Sequence, residues 1–530
     1  MSSSPGEMWE RLGSTTEQRA LRLAMIAALG LGLFLRIYLY AIHPSTMWED
    51  EAYWAWKTLT KPVLTQAFRP PGFLLLTKGL VTWLGASDLT FRTLPFVASL
   101  ASLLATPYIA SQLFRSGFTR LAVLTIMATH PAALTMSVEF KQYGVELGVL
   151  VVLLASYLRY RERPSKRSLA LLLGLAWAGF FFSIIIIFVY PALFGVLLWD
   201  AIKAKQFRAL AVMGGAALMC VATIMTIYMT TWRHMDQGKK EKKWGDKYDV
   251  FYAPNAEESR AVWSIKKYGA VAALPDYGRE RWIAPKLTEA TLLRLAEIDR
   301  YFWWGLHALG ILWLIRQRQL RELIWLWSPL WVMTLFNLIG RWPAGAFRTN
   351  TGILPFTIFL AAYGLDAATA LRPQLARVVL PLGCALMLAP PLLFRPDWFR
   401  KGAFARPGQF DEVFVALVKS PEERRRKVVL MENSSCRPWK FYASYDTRAE
   451  KTTAPQIRKR FVAKCTGNNM PRSIRSLAQG GEDFWVLLTD RRKDAAVERA
   501  TRQSCSSVEH IEVGEGLHGL WHCEPKKKRG

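Results

Sequence analysis

Long runs of apolar residues, separated by short polar connections, dominate positions 21 to 399 of the chain. A helix needs about 20 mostly apolar residues to cross a bilayer. The first run extends from Leu21 to Ile42, has only Arg22 and Arg36 as charged residues, and is too long for the apolar part of a signal peptide. It predicts a membrane anchor that stays in the protein.

Further apolar runs predict about ten more membrane spans, for a total of about eleven. The single runs cover residues 89–114, 121–136, 145–158, 209–231, 301–315, 323–339, 351–371 and 378–394. The run at 169–199 is too long for one helix and short for two. Because the connections on both sides of it are basic, we interpret it as a hairpin of two short helices that turns near Phe182 and Ser183.

Basic residues cluster in alternate connections, which predicts the orientation because positively charged loops stay in the cytoplasm. The densest cluster runs from Arg159 to Arg167. This assignment places residues 1–20 in the cytoplasm, the loops at 43–88 and 232–297 on the outer side, and the polar tail at 400–530 on the outer side as well.

The tail has the pattern of a small soluble α/β domain. Its strand-like runs are Lys427 to Met431 and Phe484 to Thr489, and its helix-like runs are Phe410 to Val418 and Asp494 to Arg502.

Four cysteines lie in the tail, and an outer location favours disulfides. One arrangement joins Cys436 to Cys465 and Cys505 to Cys523. The spacing does not decide the pairing, and four free thiols are the alternative.

The composition places the chain between a soluble enzyme and a pure transport bundle. It is 52% hydrophobic and 13% aromatic, with a formal net charge of +28. Such a charge could indicate nucleic acid, but several Lys and Arg clusters fall in the connections between spans, where membrane orientation explains them. We therefore expect membrane lipids, and no nucleic acid, as partners.

The first candidate chemistry is a run of three acids, Glu49, Asp50 and Glu51, directly after the first span. Carboxylates near hydrocarbon are partly desolvated, which raises their pKa and makes them better bases. In the same loop, two short helices are predicted at 52–60 and 72–84, with Arg69 and two prolines between them.

Two further outward segments carry charge: Glu139, Lys141 and Tyr143 follow the third span, and Arg341 and Arg348 flank a late loop. Displacing a phosphate-linked sugar needs a base for the acceptor hydroxyl and cations for the departing phosphate. Charged residues at membrane depth are costly and are usually functional. We therefore expect these segments to converge on one outward site.

The order of these parts resembles the GT-C glycosyltransferases, and most closely the bacterial protein mannosyltransferases and aminoarabinose transferases. The shared parts are the acid pair after the first span, the Pro-Pro segment, the run from Phe91 to Pro95 that opens the second span, and the run from Glu139 to Tyr143 after the third. The resemblance covers roughly residues 20 to 400. It implies a GT-C membrane domain, to which the tail pattern adds a soluble periplasmic α/β domain.

What the resemblance implies is an inverting sugar transfer at the periplasmic face of the bacterial inner membrane. The donor would be a sugar on undecaprenyl phosphate or a related polyprenyl phosphate, and the acceptor a lipid, a glycan or a protein. The catalytic residues implied are Asp50, Glu51 and Glu139, and the donor-phosphate ligands are Lys141, Tyr143, Arg348 and Arg69. Arg69 departs from the many relatives that have His before the Pro pair.

A divalent cation, Mg²⁺, Mn²⁺ or Ca²⁺, could be held by Glu49, Asp50 and Glu139, although the resemblance does not require one. The alternative function is a transporter or flippase of lipid-linked glycans. Against it, the charges cluster at one membrane boundary and the sequence shows no obvious repeat. A polymerase or ligase that uses a longer lipid-linked glycan is chemically close to the first hypothesis.

Overall fold

A computed structural model shows two compact units. The helical unit contains residues up to Ile42, Val63–Leu75 and Leu94–Arg400, and the tail unit contains His43–Pro62, Leu76–Thr93 and Lys401–Gly530. The structure describes residues 16–526 except 43–46, 48, 67–68, 233–250, 253–257, 273–288, 344, 346–347, 372–377, 379–409, 420–426, 432, 444–452, 467–468, 489–493 and 514–517.

Helices account for most of the described chain before residue 372. They are α1 (Thr16–Ile37), α2 (Glu49–Thr60), α3 (Pro71–Leu84), α4 (Asp88–Leu113), α5 (Gly117–Thr129), α6 (Pro131–Ser137), α7 (Gln142–Glu162), α8 (Lys166–Phe180), α9 (Tyr190–Lys203), α10 (Phe207–Ile227), α11 (Arg260–Ala272), α12 (Glu289–Arg316), α13 (Leu320–Leu338) and α14 (Leu354–Leu371). Short 3₁₀ helices lie at Val63–Thr65, Ile184–Phe188 and Arg348–Ile353, and π-helical turns follow α1 and α10.

Five helical stretches among the described residues are long and apolar enough to cross a membrane. They are Gln18–Ala41, Asp88–Leu113, Gln142–Glu162, Phe207–Thr230 and Thr349–Leu371. Each lies on a predicted span, which supports a membrane protein. The other predicted spans fall on shorter or less apolar helices, and the span predicted at 378–394 lies almost wholly outside the described residues. The predicted number of about eleven is therefore not confirmed.

The hairpin prediction for residues 169–199 agrees with the helices observed there. Helix α8 ends at Phe180 and α9 begins at Tyr190, with the 3₁₀ helix Ile184–Phe188 between them. Ser183, the N-cap of that 3₁₀ helix, is extended and lies where the sequence predicted the turn.

The third predicted span, residues 121–136, is not one continuous helix. It breaks at His130, which ends α5 and caps α6 by accepting the Ala132 N–H on its Nδ1 at 3.1 Å. The cause is Pro131, because its ring nitrogen carries no hydrogen for the carbonyl of Met127, four residues earlier. The sequence favoured a continuous span because the residues on both sides of the break are mostly apolar, and they are buried in the structure.

Helices α12 and α14 approach closely because glycines lie at their contact. A Cβ atom at Gly310 would lie 2.0 Å from the carbonyl oxygen of Leu360, and one at Gly364 would lie 1.9 Å from that of Leu306. Small residues that let helix backbones touch are typical of packing inside membranes.

The tail folds around a five-stranded sheet, as the α/β prediction required. Its elements are α15 (Phe410–Lys419), β1 (Lys427–Met431), α16 (Asn433–Tyr442), α17 (Thr453–Arg460), β2 (Phe461–Cys465), α18 (Met470–Gln479), β3 (Phe484–Leu488), α19 (Asp494–Ser504), β4 (Cys505–Val513) and β5 (His518–Pro525). The strand order is β2-β1-β3-β5-β4. Strand β1 runs parallel to β2 and β3, whereas β5 is antiparallel to β3 and β4.

Two disulfides cross-link the tail. Cys436 at the start of α16 is bonded to Cys465 at the end of β2, and Cys505 is bonded to Cys523 across strands β4 and β5. Of the pairings that the sequence left open, the structure adopts the one that joins neighbours along the chain.

Candidate active site

The three candidate acids of the first loop form the first turn of α2, which starts at Glu49 rather than at the predicted residue 52. Asp50 is half-buried and Glu51 is buried, while the side chain of Glu49 lies outside the described residues. Negative charges are favourable at a helix N-terminus, where unpaired backbone N–H groups point outward. The three acids therefore lie at the positive end of the helix.

Glu51 is held by Arg92, in the first turns of α4. The Arg92 Nη2 donates to Glu51 Oε2 at 2.9 Å and its Nε donates to Oε1 at 3.2 Å, and both side chains are buried. A two-point contact of this kind determines the position and the plane of the carboxylate. Both belong to the tail unit, as does Asp50.

The segment between α6 and α7 is a tight, buried bend that carries the second set of candidates. The Lys141 N–H donates to the carbonyl of Glu139 at 2.7 Å, and Glu139, Lys141 and Tyr143 are all buried. Lys141 is the N-cap of α7, so this cationic residue lies at the positive end of the helix. A buried cation and a helix N-terminus together favour an anion at this point.

Arg69 lies in the neighbouring Pro-Pro bend of the same helical unit. Its Nη1 donates to Gln66 Oε1 at 2.7 Å, and its side chain is buried. Two residues after the prolines, Phe73 stacks on Phe140 with ring centroids 5.4 Å apart. This stack places the Arg69 segment beside the bend that contains Glu139 and Lys141.

The late loop also reaches this region. The 3₁₀ helix that starts at Arg348 packs against α7, and a Cβ atom at Gly352 would lie 3.2 Å from the Cβ of Glu146. The loop is braced by Asn350, whose Oδ1 accepts from Trp342 Nε1 at 2.6 Å. The side chain of Arg348 lies outside the described residues.

The structure thus brings together three predicted segments in the helical unit, namely those of Arg69, of Glu139 to Tyr143, and of Arg348. Asp50 and Glu51 belong to the other compact unit. Among the described residues, no group of three or more His, Cys, Asp or Glu side chains could hold a metal ion. The metal site suggested for Glu49, Asp50 and Glu139 therefore stays a prediction.

Glu146, a buried acid one turn into α7, was not among the residues predicted from the sequence. Its Oε1 accepts the Ile184 N–H at 3.3 Å, while its Oε2 has no hydrogen-bond partner among the described atoms. The signal was an acid inside the apolar run at 145–158, which is costly unless it has a role. Here Glu146 caps the 3₁₀ helix of the α8–α9 hairpin.

Arg36 was noted as a charge inside the first span but given no role. Its Nη2 donates to the carbonyl of Met127 at 2.9 Å, and its Nη1 donates to those of Ala128 at 2.9 Å and Gly32 at 3.0 Å. The Met127 carbonyl is the one that Pro131 cannot satisfy, and Ala132, the regular partner of Ala128, donates to His130 instead. Arg36 therefore completes the broken third span.

The chain is similar in structure to ArnT from Cupriavidus metallidurans in the apo state, with a TM-score of 0.52, 12% sequence identity, and coverage of 96% of this chain and 98% of that one. It is also similar to ArnT from the same organism bound to undecaprenyl phosphate, with a TM-score of 0.51, 14% identity, and coverage of 94% and 97%. By sequence, it matches none of the family models and none of the curated proteins compared with it. The GT-C resemblance is thus confirmed at the level of the fold.

Proposed function

We propose that this protein is an inverting glycosyltransferase that moves a sugar from a polyprenyl-phosphate donor to an acceptor at the periplasmic face of the bacterial inner membrane. The observation that carries the proposal is the burial of Lys141 at the N-terminus of α7, beside the Arg69 and Arg348 segments. The likeness to a fold seen with undecaprenyl phosphate bound supports the choice of donor.

In the proposed reaction, Asp50 takes the proton of the acceptor hydroxyl. The hydroxyl oxygen then attacks the anomeric carbon on the face opposite the phosphate. As the new C–O bond forms, the bond from the anomeric carbon to the phosphate oxygen breaks, and the electron pair leaves with the polyprenyl phosphate. A single displacement of this kind inverts the anomeric configuration.

The departing phosphate gains negative charge, which cations placed in advance stabilise. We assign this role to Lys141, with Tyr143, Arg69 and Arg348 as further ligands. The N-terminus of α7 adds its own partial positive charge.

Asp50, Glu51 and Glu139 receive different roles. Both oxygens of Glu51 accept hydrogen bonds from Arg92, which suits a carboxylate that positions the first turn of α2. Proton transfer is therefore assigned to Asp50, and Glu139 is proposed as the second acid, near the donor. No step of the reaction is assigned to a metal ion, and transfer measured with and without EDTA tests the cation prediction.

The experiment compares Asp50→Asn with wild type in proteoliposomes that contain a radiolabelled polyprenyl-phosphate sugar and an extract of envelope acceptors. Loss of the base is expected to lower the transfer rate by about 100-fold or more. Glu498→Gln, which changes an acid on the surface of the tail, is the matched control and should leave the rate unchanged. An Asp50→Asn protein that folds and transfers at the normal rate refutes the proposed base.

Donor binding is tested separately with Lys141→Met and Lys203→Met, because Lys203 is an exposed lysine at the end of α9. The first variant should bind undecaprenyl phosphate about 10-fold or more weakly, as measured by native mass spectrometry, since a charged hydrogen bond is lost. The second should bind normally. Equal binding by both variants removes Lys141 from the phosphate site.

The acceptor is identified by mass spectrometry of the cell envelope with and without the protein, which shows which glycan, lipid or protein lacks one sugar. Flux of a lipid-linked glycan across proteoliposomes without any covalent product would instead favour the flippase alternative.

A further inference from the structure

The first-loop helix and one helix of the tail are packed together within the tail unit. Helix α16 lies against α2, and its last three residues reach three separate points of the first loop and of the start of α4. The phenol oxygen of Tyr442 accepts the Met47 N–H at 2.7 Å and donates to Asp88 Oδ1 at 3.2 Å. Tyr442, Met47 and Asp88 are all buried.

The two residues before Tyr442 strengthen the same contact. Phe441 packs edge-to-face on Phe91, with ring centroids 5.5 Å apart. The Lys440 ammonium lies 5.4 Å from the centre of the Trp56 ring in α2, within the range of a cation–π contact. At its other end, α16 is fixed to β2 by the Cys436–Cys465 disulfide.

Asp50 lies between two anchors along the chain. Met47, three residues before it, is held by Tyr442, and Glu51, directly after it, is held by Arg92. The anchors are themselves linked, because Asp88 and Arg92 occupy successive turns of α4. Positions on both sides of Asp50 are thus held by side chains of the same unit.

We infer that Tyr442, a residue of the tail, is a positioning residue for the acids of the first loop. The inference rests on the proposed function, since it matters only if Asp50 acts as the base. A misplacement of about 1 Å at a reacting group can cost about 100-fold in rate. The Tyr442 hydroxyl holds the backbone at Met47, three residues before Asp50, and so prevents such a misplacement.

The test uses Tyr442→Phe, which keeps the ring and removes the hydroxyl, in the full-length protein. Thr501→Val is the matched control, because it removes another buried hydroxyl of the tail, one that donates to Val497 within α19. Hydrogen exchange measured by mass spectrometry on peptides from Met47 to Trp56 needs no activity. Exchange there should become several-fold faster in Tyr442→Phe and stay unchanged in Thr501→Val.

Transfer kinetics provide the second measurement. Tyr442→Phe should lower kcat by about 10-fold with little change in KM, and should shift the acidic limb of the pH–rate profile, because the environment of Asp50 changes. Asp88→Ala removes the acceptor of the same hydroxyl. The Tyr442→Phe/Asp88→Ala double variant should be no slower than the slower single variant, since both act through one contact.

Unchanged exchange in Tyr442→Phe, or an equal loss of kcat in Thr501→Val, overturns the inference and leaves the proposed function intact. Faster exchange with a normal kcat also overturns it. If Asp50→Asn transfers sugar normally, the proposed function is the part that fails, and the exchange data alone then decide whether Tyr442 holds the loop.

Discussion

Arg36 shows how one buried charge is accommodated in the first membrane span. Its guanidinium contacts Ser99 on α4 at 2.8 Å and the carbonyls freed by the break between α5 and α6. Unlike a buried ion pair, this arrangement satisfies backbone acceptors that would otherwise have no donor. We expect Arg36→Leu to destabilise the protein by roughly 3 kcal/mol, because buried carbonyls lose their partners.

This cost is measured as a fall in the thermal unfolding midpoint of the detergent-solubilised protein. Arg22→Leu, which removes an exposed arginine of the same helix, is the control and should change the midpoint little. Equal midpoints for Arg36→Leu and wild type would contradict the assigned role.

The Arg92–Glu51 pair depends on the planar fork of arginine. A lysine has a compact ammonium group and does not reproduce the two parallel hydrogen bonds, so Arg92→Lys should loosen the first turn of α2. We expect a kcat about 10-fold lower at unchanged net charge. Arg502→Lys, in the surface pair with Glu498, is the matched control. A normal kcat in Arg92→Lys would mean that the pair serves stability alone.

We expect His522 in β5 to make the tail sensitive to acid. Burial, followed by the charge of Lys427, lowers the pKa of His522 below its ordinary value, and the ring stacks on Trp485 with centroids 4.5 Å apart. His522 therefore binds a proton more readily in the unfolded chain than in the folded tail. As the pH drops below about 6.5, this difference lowers the free energy of unfolding. His522→Phe keeps the stack and removes the proton. Its unfolding midpoint should fall less than that of wild type between about pH 7.5 and about pH 5.

At the scale of elements, α16 is held by the Cys436–Cys465 disulfide at one end and by Tyr442 at the other. Replacing both cysteines by serine should destabilise the tail by about 3 kcal/mol and speed hydrogen exchange in peptides from α16 and α2. The matched control replaces Cys505 and Cys523, which loosens β4 and β5 without releasing α16. Exchange in α2 that responds equally to both pairs would show that the disulfide has no special influence on the first loop.

Among the elements, the break at His130 shows where an apolar pattern misleads. Pro131 was visible in the sequence, but the apolar residues on both sides favoured a continuous span. Helix breaks inside a membrane are tolerated when other groups satisfy the freed carbonyls. The donor is Arg36, about 90 residues away, so local sequence gives no indication that the break is stable.

At the scale of the whole molecule, the orientation follows from the parity of the spans. The prediction places seven spans between residues 166 and 499, so the two positions should lie on opposite sides of the membrane. We expect Arg499→Cys to react with an impermeant maleimide from the outer side, and Lys166→Cys to react only after lysis. Both side chains are exposed. Labelling of both from one side would require an even number of spans between them.

Several candidate residues stand out in the sequence because their types are unusual where they occur. Three acids after a membrane span, and Glu139 and Lys141 at the start of another, are expensive to place there without a role. The fold class followed from the long apolar runs and from the GT-C resemblance. By contrast, Tyr442 is one tyrosine among seventeen, and nothing in its neighbourhood marks it as a partner of Met47, which lies 395 positions earlier.

The sequence by itself determined the longest apolar helices, two strands of the tail and the chemical types of the candidate residues, because hydrophobicity, helix length and charge are local properties of the chain. Only the tertiary structure decided which charged groups are paired, how the broken span is completed and which tail residue is hydrogen-bonded to the first loop. The reason is physical: a hydrogen bond depends on atoms about 3 Å apart, and folding alone brings such distant positions together.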